Sequence, residues 1–182
     1  IETMPRGHCV VKLDFTNAFN SLHRDEMLRS VFHNTPGIYK FCHLAYSQSS
    51  ILKFGDRVIM SCEGPQQGDP LGPALFCGTI HPLLCSLTSE LRIGYLDDIT
   101  LGGPVAEVAR DVNTIQTAGK KFGLQLNAKK CEVINSESLS TEPTFQDFSH
   151  FGIAEATLLG APLTTGAAMD TALEGRCCEM AR

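Results

Sequence analysis

The period of the apolar residues changes several times along this chain, and each change marks an element. Gly7 to Phe15 (GHCVVKLDF) is rich in β-branched and apolar residues and closes on Asp14, the pattern of a buried strand that carries a carboxylate to its tip. Asn17 to Leu22 turns the chain. Met27, Leu28, Val31 and Phe32 then recur at the spacing of one helix face, which predicts a helix from Arg24 that ends at Asn34. Thr35-Pro36 supplies a cap and a first-turn proline for a second helix reaching Ser47. Ile51 to Phe54 and Arg57 to Met60, joined by Gly55-Asp56, read as a hairpin. It leads into Glu63-Gly64-Pro65-Gln66-Gln67-Gly68-Asp69-Pro70. From Pro70 the pattern is helical to about Leu91, with Asp69 as the cap and Gly72-Pro73 in the first turn.

Gly94 to Thr100 (GYLDDIT) reads as a strand, a tight turn and a second strand, with Asp97 and Asp98 between apolar neighbours. Val105, Val108, Val112, Ile115 and Phe122 mark one face of a helix that stops at Gly123. Leu124 to Ile134 carries the Lys129-Lys130 pair into a strand. Ser136 to Ser149 reads as a polar loop with few constraints, and Thr157 to Leu163 as a strand ending in a turn. There is no internal repeat and no low-complexity segment. This order predicts an α+β fold in which helices pack on one face of a mainly antiparallel sheet. The other face is left for a ligand.

Composition narrows the class. A chain of 182 residues, 43% hydrophobic and 19% charged, has the balance of a globular protein with one core of ordinary size, and the whole chain reads as a single domain. The longest apolar stretch, Ala74 to Leu87, is broken by His81 and Pro82 and is shorter than the ~20 residues of a membrane helix, so no span is expected. The eight cysteines lie mostly inside apolar patterns and form no CxxC pair. They read as reduced, buried thiols of an intracellular protein and not as zinc ligands. Nothing in them separates nucleus from cytoplasm. A formal charge of −5 argues against a self-sufficient nucleic-acid binder, which needs a basic face.

Candidate chemistry lies with the acids. Asp14 and the Asp97-Asp98 pair meet only if their strands are neighbours in one sheet, which the parity of the strand and the hairpin permits. Clustered carboxylates repel one another, and hard divalent cations with oxygen ligands offset that charge most simply, magnesium first. Two such ions about 3.5–4 Å apart support an in-line phosphoryl displacement. Taken singly, each feature has a plainer explanation: an Asp-Asp turn is usually a solvated hairpin tip, and Gln67-Gly68-Asp69-Pro70 alone is a helix start. Their joint occurrence in this order is what points to a catalytic centre.

The motifs together resemble those of reverse transcriptases, most closely those of retrotransposons without long terminal repeats (the LINE-like type). The resemblance runs from about Lys12 to Leu163. It rests on Lys12-Leu13-Asp14-Phe15-Thr16-Asn17-Ala18-Phe19-Asn20-Ser21, on Gly64-Pro65-Gln66-Gln67-Gly68-Asp69-Pro70-Leu71-Gly72-Pro73, on Tyr95-Leu96-Asp97-Asp98, on Gly123-Leu124-Gln125-Leu126-Asn127-Ala128-Lys129-Lys130-Cys131, and on Leu158-Leu159-Gly160-Ala161-Pro162-Leu163. It implies a reverse-transcriptase-like palm acting as an RNA-directed DNA polymerase, with an RNA template, a DNA primer and deoxynucleoside triphosphates as partners. It implies two Mg2+ ions, with Mn2+ as the substitute, held by Asp14 and Asp97 and completed by Asp98. Backbone amides after Phe15 would face the triphosphate, and Phe19 would sit beneath the sugar and leave no room for a 2′-hydroxyl. Gln67 and Gly68 would lie against the nascent base pair, Tyr95 would touch the primer end, and Lys130 would protonate the departing pyrophosphate. Leu159 and Gly160 would support the primer backbone.

Phe19 also separates this expectation from viral RNA-directed RNA polymerases, which place a second Asp at that spacing to accept the ribose hydroxyl. The resemblance begins just before the first motif, so residues 1–182 are expected to be a palm fragment lacking most of the fingers and the thumb, which accounts for the acidic balance. The alternative of a different class is a catalytically inactive remnant or domesticated scaffold. Two residues depart from the pattern: Leu96 is large for its place, and Ile99 is awkward if the turn needs a positive φ.

Overall fold

In a computed structural model, residues 4–135, 142–159, 161–163 and 167–180 are described. The first strand, β1 (His8–Leu13), lies at the centre of a sheet because its alternate residues are apolar on both sides. Cys9, Val11 and Leu13 enter the main core, whereas Val10 joins a small cluster on the opposite face with Ile134 and Ala156. After a four-residue helix, α1 (Ala18–Ser21), come α2 (Arg24–Asn34) and α3 (Tyr39–Tyr46), the latter entered through a 3-10 turn at Pro36–Ile38. Thr35 makes no cap bond to that turn; its hydroxyl points back to the Val31 carbonyl and closes α2 instead.

Two strands, β2 (Ser50–Phe54) and β3 (Arg57–Ser61), form the expected hairpin as a separate two-stranded ribbon. Ile51, Leu52, Phe54, Val58, Ile59 and Met60 are all exposed on it. Next is α4 (Gly72–Cys85), shorter at both ends than the pattern predicts. Its C-terminal end is set by a tertiary contact: Asp111 accepts hydrogen bonds from the amides of Thr88 (2.8 Å) and Ser89 (2.6 Å), pulling the chain out of the helix before Leu91. Burial works against the Asp111 carboxylate, yet the Ser89 hydroxyl and these amides hold its pKa below the ordinary 3.8. Pro82 is tolerated inside α4 because the Gly78 carbonyl it would otherwise leave without a donor accepts the Ser30 hydroxyl of α2 at 2.8 Å.

The remaining elements are β4 (Leu91–Tyr95), β5 (Asp98–Pro104), α5 (Val105–Ala118), β6 (Glu132–Ile134), β7 (Ser149–Phe151), the two-residue strands β8 (Thr157–Leu158) and β9 (Ala161–Pro162), and α6 (Ala167–Met180). The sheet order is β4-β5-β1-β6-β7, antiparallel except for the β6–β7 pair. Met27 and Val31 of α2, Phe76 and Ile80 of α4, and Val108 and Ile115 of α5 pack on one face, where each fully buried side chain contributes about 1.5–3 kcal/mol. The α+β layering expected from the pattern is the one observed.

Three local expectations change. Residues 142–149 are no unconstrained loop: Phe145 is fully buried and Phe148 nearly so, their rings 5.7 Å apart, because two isolated aromatics seal an edge of the core without any periodicity. Residues 136–141 of that segment lie outside the described residues. Leu124 to Ile134 yields only three residues of strand, since Ala128–Lys130 forms a 3-10 turn. Of the eight free cysteines, only Cys9, Cys42 and Cys131 are buried; Cys62, Cys77, Cys85, Cys177 and Cys178 are exposed, because apolar sequence neighbours do not decide which side of an element a residue faces. No described helix is long and apolar enough to cross a membrane.

Candidate active site

Strand register assembles the acids. Leu13 pairs with Ile99 and Lys12 with Thr100, so the next position, Asp14, falls beside Asp98 at the ends of β1 and β5. Asp98 in turn faces Tyr95 across the β4–β5 hairpin, with Leu96 and Asp97 as the turn between them. Residues on opposite faces alternate along a strand. Leu13 and Ile99 point into the core, so Lys12, Asp14, Asp98, Thr100 and Tyr95 share the uncovered face. That face is not wholly free: its lower end is covered by Val10, Ile134 and Ala156 with Met4, Ile153 and Leu163 packed against them.

The Asp14 backbone is locked. Its amide donates to Cys131 Sγ (3.4 Å) and its carbonyl accepts from the Asn127 amide (2.9 Å). The Thr16 amide donates to Gln125 O at 2.9 Å, and buried Phe15 forms a bridge with Leu126. The first amide after Phe15 is therefore engaged and not free for a phosphate. The same contacts bring the 127–131 segment against Asp14, with exposed Lys130 on it.

Burial raises the Asp98 pKa, the charges of Asp97 and Asp14 push it further up, and Lys12 alone opposes them. Lys12 is itself tied to Glu132 at 2.6 Å. Among the described residues no group of three His, Cys, Asp or Glu side chains is arranged to hold a metal ion. The carboxylates form an open rim of oxygen donors short of positive charge, the donor type that hard divalent cations take, without a closed set of ligands.

The turn holding Asp97 does adopt a left-handed conformation, but at Leu96 (φ 55) and not at Ile99, which is a buried strand residue. A bulky residue with positive φ is costly, of order 1–2 kcal/mol, and such outliers cluster at functional sites. Leu159 is a second one, with φ 49. With Leu158 it lines a cavity of about 200 Å3 together with Lys12, Asp98 and Thr100, so β8 reaches the acid rim. Gly160 lies outside the described residues.

A separate cluster forms around the turn Gln66–Asp69. Gly64 admits it against α1: a Cβ there would lie 2.3 Å from the Phe19 carbonyl oxygen, and its amide donates to Leu22 O at 2.7 Å. The Phe19 ring rests on Phe76 (centroids 5.9 Å apart) and over Gly72, where a Cβ would come within 2.9 Å of the ring. Gln67 donates to Asn20 Oδ1 at 3.2 Å, and Gly68, with φ 88, has open space on its Cβ side. Gln67, through Asn20, and Gly64 and Gly72, through Phe19, therefore tie this turn to α1.

Sequence reasoning missed the residues beneath this turn. Arg24, almost fully buried, donates to the carbonyls of Gly64 (3.0 Å), Ser61 (2.9 Å) and Gln48 (3.3 Å) and to the Ser61 hydroxyl (2.9 Å). Its guanidinium lies 5.3 Å from the centroid of the Tyr46 ring, and the Tyr46 hydroxyl donates to Asp69. No periodicity marks an arginine at a helix start as buried; its being the first charged residue after the Leu22 turn is the faint signal available.

Solved structures share this fold, a reverse-transcriptase-like one. The apo telomerase from Candida tropicalis superposes with a TM-score of 0.63 at 14% identity, over 87% of this chain and 31% of its own. Telomerase from Candida albicans in complex with the TWJ fragment of telomeric RNA gives 0.61 at 14% identity, over 89% and 30%. The chain spans about a third of the length of these telomerase chains, and the identities speak for the fold alone. The family model described as reverse transcriptase (RNA-dependent DNA polymerase) matches residues 1–160, and the chain belongs to that family. No curated protein matches it.

Proposed function

We propose that this chain carries the polymerising centre of an RNA-directed DNA polymerase of a retrotransposon without long terminal repeats. The reaction extends a DNA primer on an RNA template with deoxynucleoside triphosphates. The observation that carries this reading is the strand register that sets Asp14 beside Asp98, with Asp97 in the adjoining turn. Kinship with the telomerase fold, solved in one case with a fragment of telomeric RNA, supports an RNA partner.

In this reading Asp14 and Asp97, with Asp98, would hold two Mg2+ ions, which supply charge neutralisation and a more acidic primer hydroxyl when bound. The chain's own residues do the rest. Tyr95, at the end of β4 beside Asp98, presents a largely exposed ring to the primer terminus. Leu159 and Gly160 support the primer backbone. Phe19, clamped by Phe76 and Gly72, places its ring under the incoming sugar and excludes a 2′-hydroxyl. Gln67 and Gly68 lie against the nascent base pair. As the primer hydroxyl gives its proton to solvent water and its oxygen bonds to the α-phosphorus, the bond to the bridging oxygen breaks and pyrophosphate leaves, taking a proton from Lys130.

The test is primer extension on an RNA template with Mg2+, using the chain alone and joined to whatever open reading frame flanks it. Deoxynucleotide incorporation is expected, and Asp97→Asn should lower it by about 10²–10³-fold or more, the scale of losing one preorganised electrostatic group. Equal activity of the Asn form, or no product from either protein, returns the chain to the scaffold reading. A preference for ribonucleotides makes it an RNA polymerase.

A further inference from the structure

Tyr46 is only 2% exposed, and a buried phenol needs partners for its hydroxyl. It has two. The hydroxyl donates to one oxygen of Asp69 and accepts from the Gln66 amide at 3.2 Å. The other Asp69 oxygen accepts from the Leu71 amide at 2.8 Å. One phenol and one carboxylate therefore hold both ends of the segment 66–71. The apex between them is closed by the Asp69 amide donating to Gln66 O at 3.1 Å, and beyond that Gly68 has open space on its Cβ side and the Gln67 side chain meets Asn20. Where the apex sits is decided by its two ends.

The support continues downward. Beneath the Tyr46 ring, Arg24 holds the carbonyls of Ser61 and Gly64, the strand end and the bend that deliver the chain to Gln66. Gln66 is further tied by its side-chain amide to Ser50 Oγ at 2.8 Å, which anchors the turn to the foot of the β2–β3 ribbon.

We infer that Tyr46 and Asp69 are positioning residues that set the Gln67–Gly68 turn at the height where it meets the incoming nucleotide and its template base. This rests on the polymerase reading above. Neither residue touches reacting atoms; each acts through the turn. Burial and the Asp69 bond push the Tyr46 hydroxyl up to about 12, so it remains a donor throughout the working range of pH.

Tyr46→Phe tests this while keeping the ring over Arg24. In hydrogen–deuterium exchange on the full chain, the Gln66 and Leu71 amides should exchange about 10-fold faster in the variant, the scale of one lost hydrogen bond, with β1 and α5 unchanged. In primer extension, KM for the deoxynucleotide should rise about 5–10-fold while kcat stays within about 2-fold, and Asp69→Ala should add little when combined with Tyr46→Phe. Unchanged exchange at Gln66 and Leu71 overturns the inference, as does faster exchange spread over the whole chain or a fall in kcat at constant KM. If the unmodified protein makes no product, the polymerase reading falls, while exchange still decides whether Tyr46 holds the turn.

Discussion

Asp98 and Asp69 are carboxylates with opposite surroundings. Asp98 is pushed toward its neutral form by burial and by Asp97 and Asp14, and its opposing cation, Lys12, is already bonded to Glu132. The turn beside it passes through Leu96 in a left-handed conformation. Asp69 accepts the Tyr46 hydroxyl and the Leu71 amide, next to an Arg24 whose donors meet three carbonyls and a hydroxyl. The carboxylate in the acid cluster is short of positive charge and lowers stability. A carboxylate meant to hold a turn is saturated with donors and raises it.

The largest effect that would break this contrast lies at Arg24. Arg24→Met strips donors from the carbonyls of Gln48, Ser61 and Gly64 and should lower stability by about 2–4 kcal/mol in urea denaturation. Arg24→Lys should recover only part, because an ammonium cannot reproduce the planar fork. A loss below about 1 kcal/mol would mean the turn side is not the rigid one.

Leu96→Gly probes the strain on the acid side. Relief of the left-handed conformation, worth about 1 kcal/mol, competes with the loss of a half-buried side chain, so stability should hold or rise slightly. A clear destabilisation would show that the turn is relaxed as it stands.

Asp98→Asn should give a small change of the opposite sign to Arg24→Met. A carboxyl whose folded pKa is raised binds its proton more readily in the native state, so stability is lost as pH climbs from the ordinary 3.8 through the raised value. Removing the charge should therefore raise the melting temperature by about 1–3 °C at pH 7, after allowance for solvent screening. The gain should vanish below about pH 4, and thermal melts of both proteins across that range would show it.

The acid rim was legible in the sequence because carboxylates at strand ends and in a hairpin turn are local facts, and the motif order tied them together. Arg24, Tyr46 and Asn20 were not, since each acts through partners many residues away that no local pattern names. The end of α4 was misplaced by its pattern because Asp111, on α5, captures Thr88 and Ser89.

Alternation and helical periodicity determined β1, the two hairpins and helices α2, α4 and α5, while β7 and α6 carried no such signal, and the sum of apolar faces determined that the elements stack as an α+β layer. Which residues of distant segments become partners was decided only in the folded state. There the β1–β5 register sets Asp14 beside Asp98, and a buried arginine and phenol find the carbonyls and carboxylate that hold the 66–71 turn. The reason is physical: periodicity records burial one element at a time, whereas hydrogen-bond satisfaction of buried polar groups is a property of the packed whole.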